Sequence, residues 1–294
     1  MSQFCFIDDS VSGVGGTALT LEAIVELERE NVDFISTSEL KLSDLFKDYD
    51  LFILGNVLGF DGNSFDALMY LTENLRFVKA EFDYGYCKYR GSIPHEILGK
   101  EKCRCPWGKT GESLFSRLYD NIKINALHVF YMSEGQMNIH NQALGGISKN
   151  KKSVLSSCFS SENMLQMKEL SKKTKNDKFA IIDGQGGWHT EAKGIKESIE
   201  YAIRNEMSYD LIKTKTHKDM LTLLSDYQGL IFMPIIHDTC PRVTIEARYM
   251  GLEVITNEKS QHITEKWWKQ TDDRAFKFTK SRPKYFWDTI KCLR

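Results

Sequence analysis

Short apolar runs alternate along the chain with longer segments whose apolar residues recur at the helical period. That alternation predicts an α/β protein built on parallel sheets. Runs at 4–7, 32–35, 51–54, 77–80, 127–131 and 153–155 predict a first sheet, and runs at 179–182, 209–212, 230–233 and 253–256 a second. Helical patterns lie between them, such as 19–30 and 193–204, where Ile195, Ile199, Ala202 and Ile203 share one face. The segment 171–178, SKKTKNDK, has no apolar anchor and falls between the two strand series. It sets the expected boundary: an N-terminal domain over 1–174 and a C-terminal domain over 175–294, with the final helix free to pack back on the first.

A length of 294 residues exceeds what one hydrophobic core usually organises, which agrees with two domains. Hydrophobic residues at 41% and charged residues at 27% match an ordinary globular chain and argue against disorder. With 39 basic and 40 acidic groups the formal net charge is -1, so no overall field favours nucleic acid as a partner. The start, MSQFCFIDDS, lacks the basic and apolar regions of a secretory signal. The longest apolar stretch, 230–236, is far shorter than the about 20 residues of a membrane span and contains Pro234. Seven scattered cysteines, an odd number, read as reduced thiols. These features lead to the expectation of a cytoplasmic protein without a transmembrane segment.

The most informative stretch is LIFMPIIHDTCPRVTIEARYMGLEVITN, from Leu230. An apolar strand ends at Pro234, and a helix follows with Asp238 or Thr239 as cap and Pro241 in its first turn. Val243, Ala247 and Met250 form its apolar stripe, Glu246 lies at the stripe's edge, and Gly251 ends it. A carboxylate there suits a ribose diol, and the helix start suits a diphosphate. Earlier, IIDGQGGWHTEAKG leads from a strand through a glycine-rich loop to a helix near Lys193. Glycines permit close approach to a phosphate, and a lysine at a helix mouth adds charge.

The first of these segments resembles the acidic-x7-Glu signature of GT-B glycosyltransferases, in particular the retaining family four, with Asp238 and Glu246 at the acidic positions. Lys193 and Gly194 resemble the same family's Lys-Gly pair. The resemblance implies two Rossmann-like α/β domains facing a cleft, the GT-B fold. It also implies roles: Glu246 binds the nucleotide ribose, Asp238 contacts the donor sugar, and Lys193 contacts the donor phosphates. Two departures are visible, since the first acid is Asp rather than Glu and no Arg stands between Ile181 and Lys193. Arg242, beside Pro241, is then expected to share the phosphate charge with Lys193, and Thr239 and Gly194 to complete the donor site.

After the first strand stands DDSVSGVGGTALTL, whose Gly13, Gly15 and Gly16 do not form the dinucleotide fingerprint. Gly15 and Gly16 resemble instead the glycine pair of GT-B enzymes after that strand. Asp8 and Asp9 read as solvated turn residues. In VKAEFDYGYCKYRG, Phe82 occupies the place where related transferases carry a histidine, and Asp83, Tyr84 and Arg90 are the acceptor-side candidates. Ser133 and Gln136 read as a helix cap. Cys87, His95, Cys103 and Cys105 offer zinc-type ligands, but their spacing matches no standard finger, and the expectation is no metal.

The expected activity is transfer of a sugar from a nucleotide-sugar donor to an unidentified glycan, lipid, protein or small-molecule acceptor. Retention and independence from metal follow from the resemblance, with no cofactor beyond the donor. A GT-B-fold nucleotide-sugar epimerase and a non-catalytic nucleotide-sugar-binding protein are the alternatives.

Overall fold

The computed structural model describes residues 3–9, 15–105, 114–183 and 191–293. It divides into two compact units, Met1–Cys158 with Ser281–Arg294, and Phe159–Lys280. The division therefore falls before the polar stretch at 171–178 rather than within it.

The first unit holds a parallel sheet of β1 (Phe4–Asp8), β2 (Val32–Ser36), β3 (Leu51–Leu54), β4 (Phe77–Glu81), β5 (Val129–Tyr131) and β6 (Lys152–Val154), in the order β2-β1-β3-β4-β5-β6. Its helices are α1 (Gly16–Val25), α2 (Gly62–Asn74), α3 (Ser92–Gly99), α4 (Leu114–Asn125) and α5 (Glu134–Leu144). β1, β3, β4 and β5 are buried along their whole length, which is why they read as unbroken apolar runs. Asp61 caps α2 by accepting from the Ser64 N–H, and Ser133, the cap that the sequence predicts, caps α5 by accepting from the Gln136 N–H at 3.1 Å.

The second unit begins with α6 (Ser161–Leu170) and has a sheet of β7 (Phe179–Ile182), β8 (Tyr209–Ile212), β9 (Gly229–Phe232) and β10 (Glu253–Thr256), in the order β10-β9-β7-β8. Every pairing is parallel. Its further helices are α7 (Ile195–Arg204), α8 (His217–Leu224), α9 (Arg242–Tyr249) and α10 (Asp272–Lys280). α6 packs on α8 and α9. That packing draws the 159–170 segment into this unit. On α7, Ile195, Ile199 and Ala202 pack against the sheet core, whereas Ile203 is exposed.

The last helix, α11 (Arg282–Lys291), completes the first unit. Its Trp287 packs on Phe4 and donates from Nε1 to the Ile24 carbonyl at 2.7 Å. Arg282 donates to the carbonyls of Val154 and Leu155, both at 2.7 Å, covering polar backbone at the end of β6. Among the described residues no helix is long and apolar enough to cross a membrane.

Candidate functional site

Winding of the second sheet starts at β7, goes to β8 on one side, and returns to β9 on the other. The carboxyl ends of β7 and β9 therefore flank a topological switch point, where open parallel sheets hold their ligands. Gly194, the N-cap of α7, has φ 69°. A Cβ there would stand 1.6 Å from the Met233 carbonyl oxygen. Only glycine fits both the left-handed backbone and that approach. The turn is also tied to the end of β9 by the Ile235 N–H, which donates to the Ala192 carbonyl at 3.1 Å, and by the Met233 N–H, which donates to Ser198 Oγ at 3.1 Å. Gly13 and the glycine-rich stretch with Gly184, Gly186 and Gly187 lie outside the described residues.

The tied turn sets Lys193 beside Asp238: Nζ donates to Oδ2 at 2.5 Å, the lysine half exposed and the aspartate mostly covered. Asp238 does not cap a helix. Its backbone forms a parallel bridge with Ser260, its N–H donating to the Lys259 carbonyl at 2.8 Å and its carbonyl accepting from the Gln261 N–H at 3.1 Å. Thr239 is buried and does not cap either, because α9 begins at Arg242 with Pro241 as N-cap. Gly251, with φ 79°, follows the end of that helix as the sequence predicts.

Glu246, expected at the edge of the apolar stripe, is only 1% exposed. Its Oε1 meets His217 Nε2 at 2.9 Å and Arg242 Nε at 3.4 Å. Burial pushes this carboxyl up, but the His217 hydrogen bond and the Arg242 charge outweigh it, so the group is held below the usual carboxylate range. Arg242 is itself buried, its guanidinium 4.1 Å from the Phe159 ring centroid. It turns inward to hold Glu246, so its expected place at an open helix mouth is corrected. His217, on α8, escaped the sequence reading; a histidine that orients a carboxylate from another helix leaves no local pattern.

In the first unit, Gly15 is the N-cap of α1 with φ 139°, and Gly16 opens that helix. They follow β1, which lies beside β3 where this sheet reverses its winding. Asp8 is buried rather than solvated: its Oδ2 accepts from the Asn56 N–H at 2.7 Å and packs where a side chain on Gly55 would stand. Asp83 accepts from Asn56 Nδ2 at 2.9 Å and from Arg90 Nη1 at 2.7 Å, and this pair is accessible. Tyr84 turns into the core, stacked on His140 with ring centroids 5.5 Å apart.

A buried polar group beneath that pair was not foreseen. Lys79 and Glu81, both on β4 and both essentially inaccessible, lie 3.1 Å apart. Lys79 also donates to the Gly55 and Ala80 carbonyls, and Glu81 accepts from Tyr119 Oη and the Gly85 N–H. Every member has partners, as a buried ion pair requires. Two charges within the apolar run FVKAE were the available signal.

No family model matches the chain, and no curated protein matches it. Solved structures do. Anabaena HepE, in complex with UDP and glucose, is similar over 99% of this chain and 100% of its own, with 11% identity and a TM-score of 0.54. HepE with UDP-glucose gives 12% identity, 99% and 91% coverage, and a TM-score of 0.51. An α-glucosyltransferase in complex with UDP and a 13-mer DNA containing an HMU base gives 9% identity, 88% and 81% coverage, and a TM-score of 0.50. At such identities the likeness is one of fold, and the fold is that of the GT-B glycosyltransferases.

Proposed function

We propose that the chain is a glycosyltransferase taking a sugar from a uridine-diphosphate donor held at the carboxyl ends of β7 and β9. The observation that carries this reading is the Lys193–Asp238 pair, 45 residues apart in sequence and joined at the switch point. An ammonium and a carboxylate side by side suit a ligand that is anionic at its diphosphate and hydroxyl-rich at its sugar. On donor binding, Lys193 exchanges Asp238 for a phosphate oxygen, and Asp238 accepts from sugar hydroxyls. Glu246, oriented by His217 and Arg242, is assigned to the ribose. The UDP held by HepE and by the α-glucosyltransferase supports the choice of nucleotide.

Breaking the glycosidic bond leaves growing negative charge on the departing diphosphate. Lys193 and the positive end of α9 stabilise it, an electrostatic contribution that grows toward the transition state. No protein nucleophile is assigned, and transfer is proposed to retain configuration. Because Lys193 supplies the charge, added Mg²⁺ or Mn²⁺ should not raise turnover. Asp83 and Arg90 are assigned to the acceptor, whose chemical class stays open. The test is calorimetric titration with UDP, GDP and their sugars, followed by product analysis with and without acceptor. UDP binding and slow donor hydrolysis are expected; a folded protein that binds neither nucleotide would sink the proposal, and an altered sugar released without acceptor would favour the epimerase.

A further inference from the structure

The expectation of no metal rested on spacing alone. In the fold, Cys87, His95, Cys103 and Cys105 converge, with one ligand atom from each lying within 4.8 Å of all the others. Cys87 Sγ is 3.8 Å from Cys103 Sγ and 3.2 Å from His95 Nδ1, and Cys105 Sγ is 3.4 Å from the same nitrogen. A tetrahedral zinc ion with Zn–S of about 2.3 Å and Zn–N of about 2.0–2.1 Å has S···S edges of about 3.8 Å and S···N edges of about 3.5 Å. These three separations are close to those edges, and the remaining ones stay within 4.8 Å.

We infer that these four side chains form a structural zinc site of the Cys3His type. Three further features agree with it. His95 turns Nδ1 to the sulfurs and Nε2 to Glu101 Oε1 at 3.4 Å, the carboxylate partner that a metal-bound imidazole usually has. Cys87, His95 and Cys103 are buried and Cys105 is half-buried, so water has little access to a fifth position. The ligands also come from separate parts of a segment poor in regular structure: the turn after β4, helix α3, and the irregular stretch beyond it. Arg90 and Lys100, both with left-handed backbone at φ 61° and 53°, bend the chain between them. A closed four-ligand site cross-links this irregular segment where it joins the core, and it fixes the loop that presents Asp83 and Arg90.

The test uses the full-length chain. Elemental analysis after purification from zinc-supplemented cells should give about one zinc per chain, and replacement by Co²⁺ should give thiolate-to-cobalt charge-transfer absorption with tetrahedral ligand-field bands. Cys105→Ser, the least buried ligand, should reduce that absorption and weaken zinc affinity at least about 10-fold. Glu101→Gln should weaken affinity about 10-fold with the fold retained. Cys292→Ser, at an exposed cysteine, is the control and should change nothing. Metal-free protein that takes up no zinc and shows no cobalt spectrum would overturn the site, as would an iron–sulfur absorbance. Zinc binding undiminished in both Cys105→Ser and Glu101→Gln would overturn it as well.

Discussion

Lys193 and Asp238 meet at 2.5 Å because Gly194 lets the start of α7 press against the carbonyl end of β9. Neither residue belongs to the other's element, so the pair exists only while the two strand ends stay in register. In the free protein each partly neutralises the other. A diphosphate offers Lys193 a stronger partner than one carboxylate does.

Replacing Lys193 with Ala should therefore lower kcat rather than merely raise KM, because its charge acts most on the departing diphosphate. The expected loss is about 2–4 kcal/mol in the barrier, roughly two to three decades in rate. Lys193→Arg should restore only part, since a planar fork replaces a compact ammonium. Steady-state kinetics decides: a change confined to KM would make Lys193 a binding group alone.

Gly194→Ala should cost at least about 2 kcal/mol, because it combines a left-handed backbone with a methyl group placed 1.6 Å from a carbonyl oxygen. Gly251→Ala provides the comparison, since it shares the left-handed backbone but has open space around the added atom. Its cost should be nearer 1 kcal/mol. Equal losses of stability for the two, measured by chemical denaturation, would show that the approach to Met233 is unimportant.

The strands were legible as short apolar and β-branched runs: β3, β7, β8 and β10 begin and end where the runs do, although only β3 of these is buried along its whole length, and the edge strands β8 and β10 expose Leu211 and Glu253. The Lys-Gly turn was legible because a left-handed backbone leaves its mark as a glycine, whereas the cap expected at Asp238 or Thr239 is absent, since Asp238 bridges Ser260 and α9 starts at Arg242. The unit boundary was not, since the stripe of α6 says that it packs but not on which sheet. Glu246 was read at the edge of the apolar stripe, but its burial was not foreseen, because Arg242 and His217, which cover it, come from a turn away and from another helix. Cys87, His95, Cys103 and Cys105 were visible as candidate ligands, but their convergence was not, because their spacing is set by α3 and by the bends at Arg90 and Lys100.

Burial of Glu246 makes its two simplest substitutions behave differently. Glu246→Ala leaves Arg242 buried without its carboxylate and should cost about 3–5 kcal/mol in stability. Glu246→Gln keeps the shape but removes a charge-assisted hydrogen bond of about 1.5–3 kcal/mol, so UDP affinity should fall by about one to two decades. Calorimetry on the Gln variant tests the ribose role, and denaturation of the Ala variant tests the packing. Unchanged UDP affinity in folded Glu246→Gln would take Glu246 out of the donor site.

Acid sensitivity should arise first from buried imidazoles. His262 is fully buried, and burial, helped by the Arg248 charge, pushes it down from 6.5 to about 3. Thr244 Oγ1 donates to the Pro241 carbonyl at 2.8 Å, so His262 Nε2 at 3.1 Å must be the donor to that oxygen. Nδ1 has no hydrogen-bond partner among the described residues, which suits a neutral ring. Burial likewise lowers His128, in the first unit, to about 4. Between 6.5 and these values the unfolded chain holds more protons than the folded one, so stability rises with pH. It is fully present above about pH 6.5 and is lost progressively as the pH falls toward the folded values. The carboxylates held down in the fold, Glu81 and Glu246, add their losses only below their ordinary value of 4.5. The window from pH 6.5 to 5 therefore belongs to the imidazoles, and His262 should account for roughly 2 kcal/mol across it. His262→Gln keeps a donor for Thr244 but cannot titrate, so its unfolding free energy should fall less steeply between pH 7 and 5 than that of the unsubstituted protein. Equal slopes for the two would show that His262 does not take up its proton on unfolding in this range.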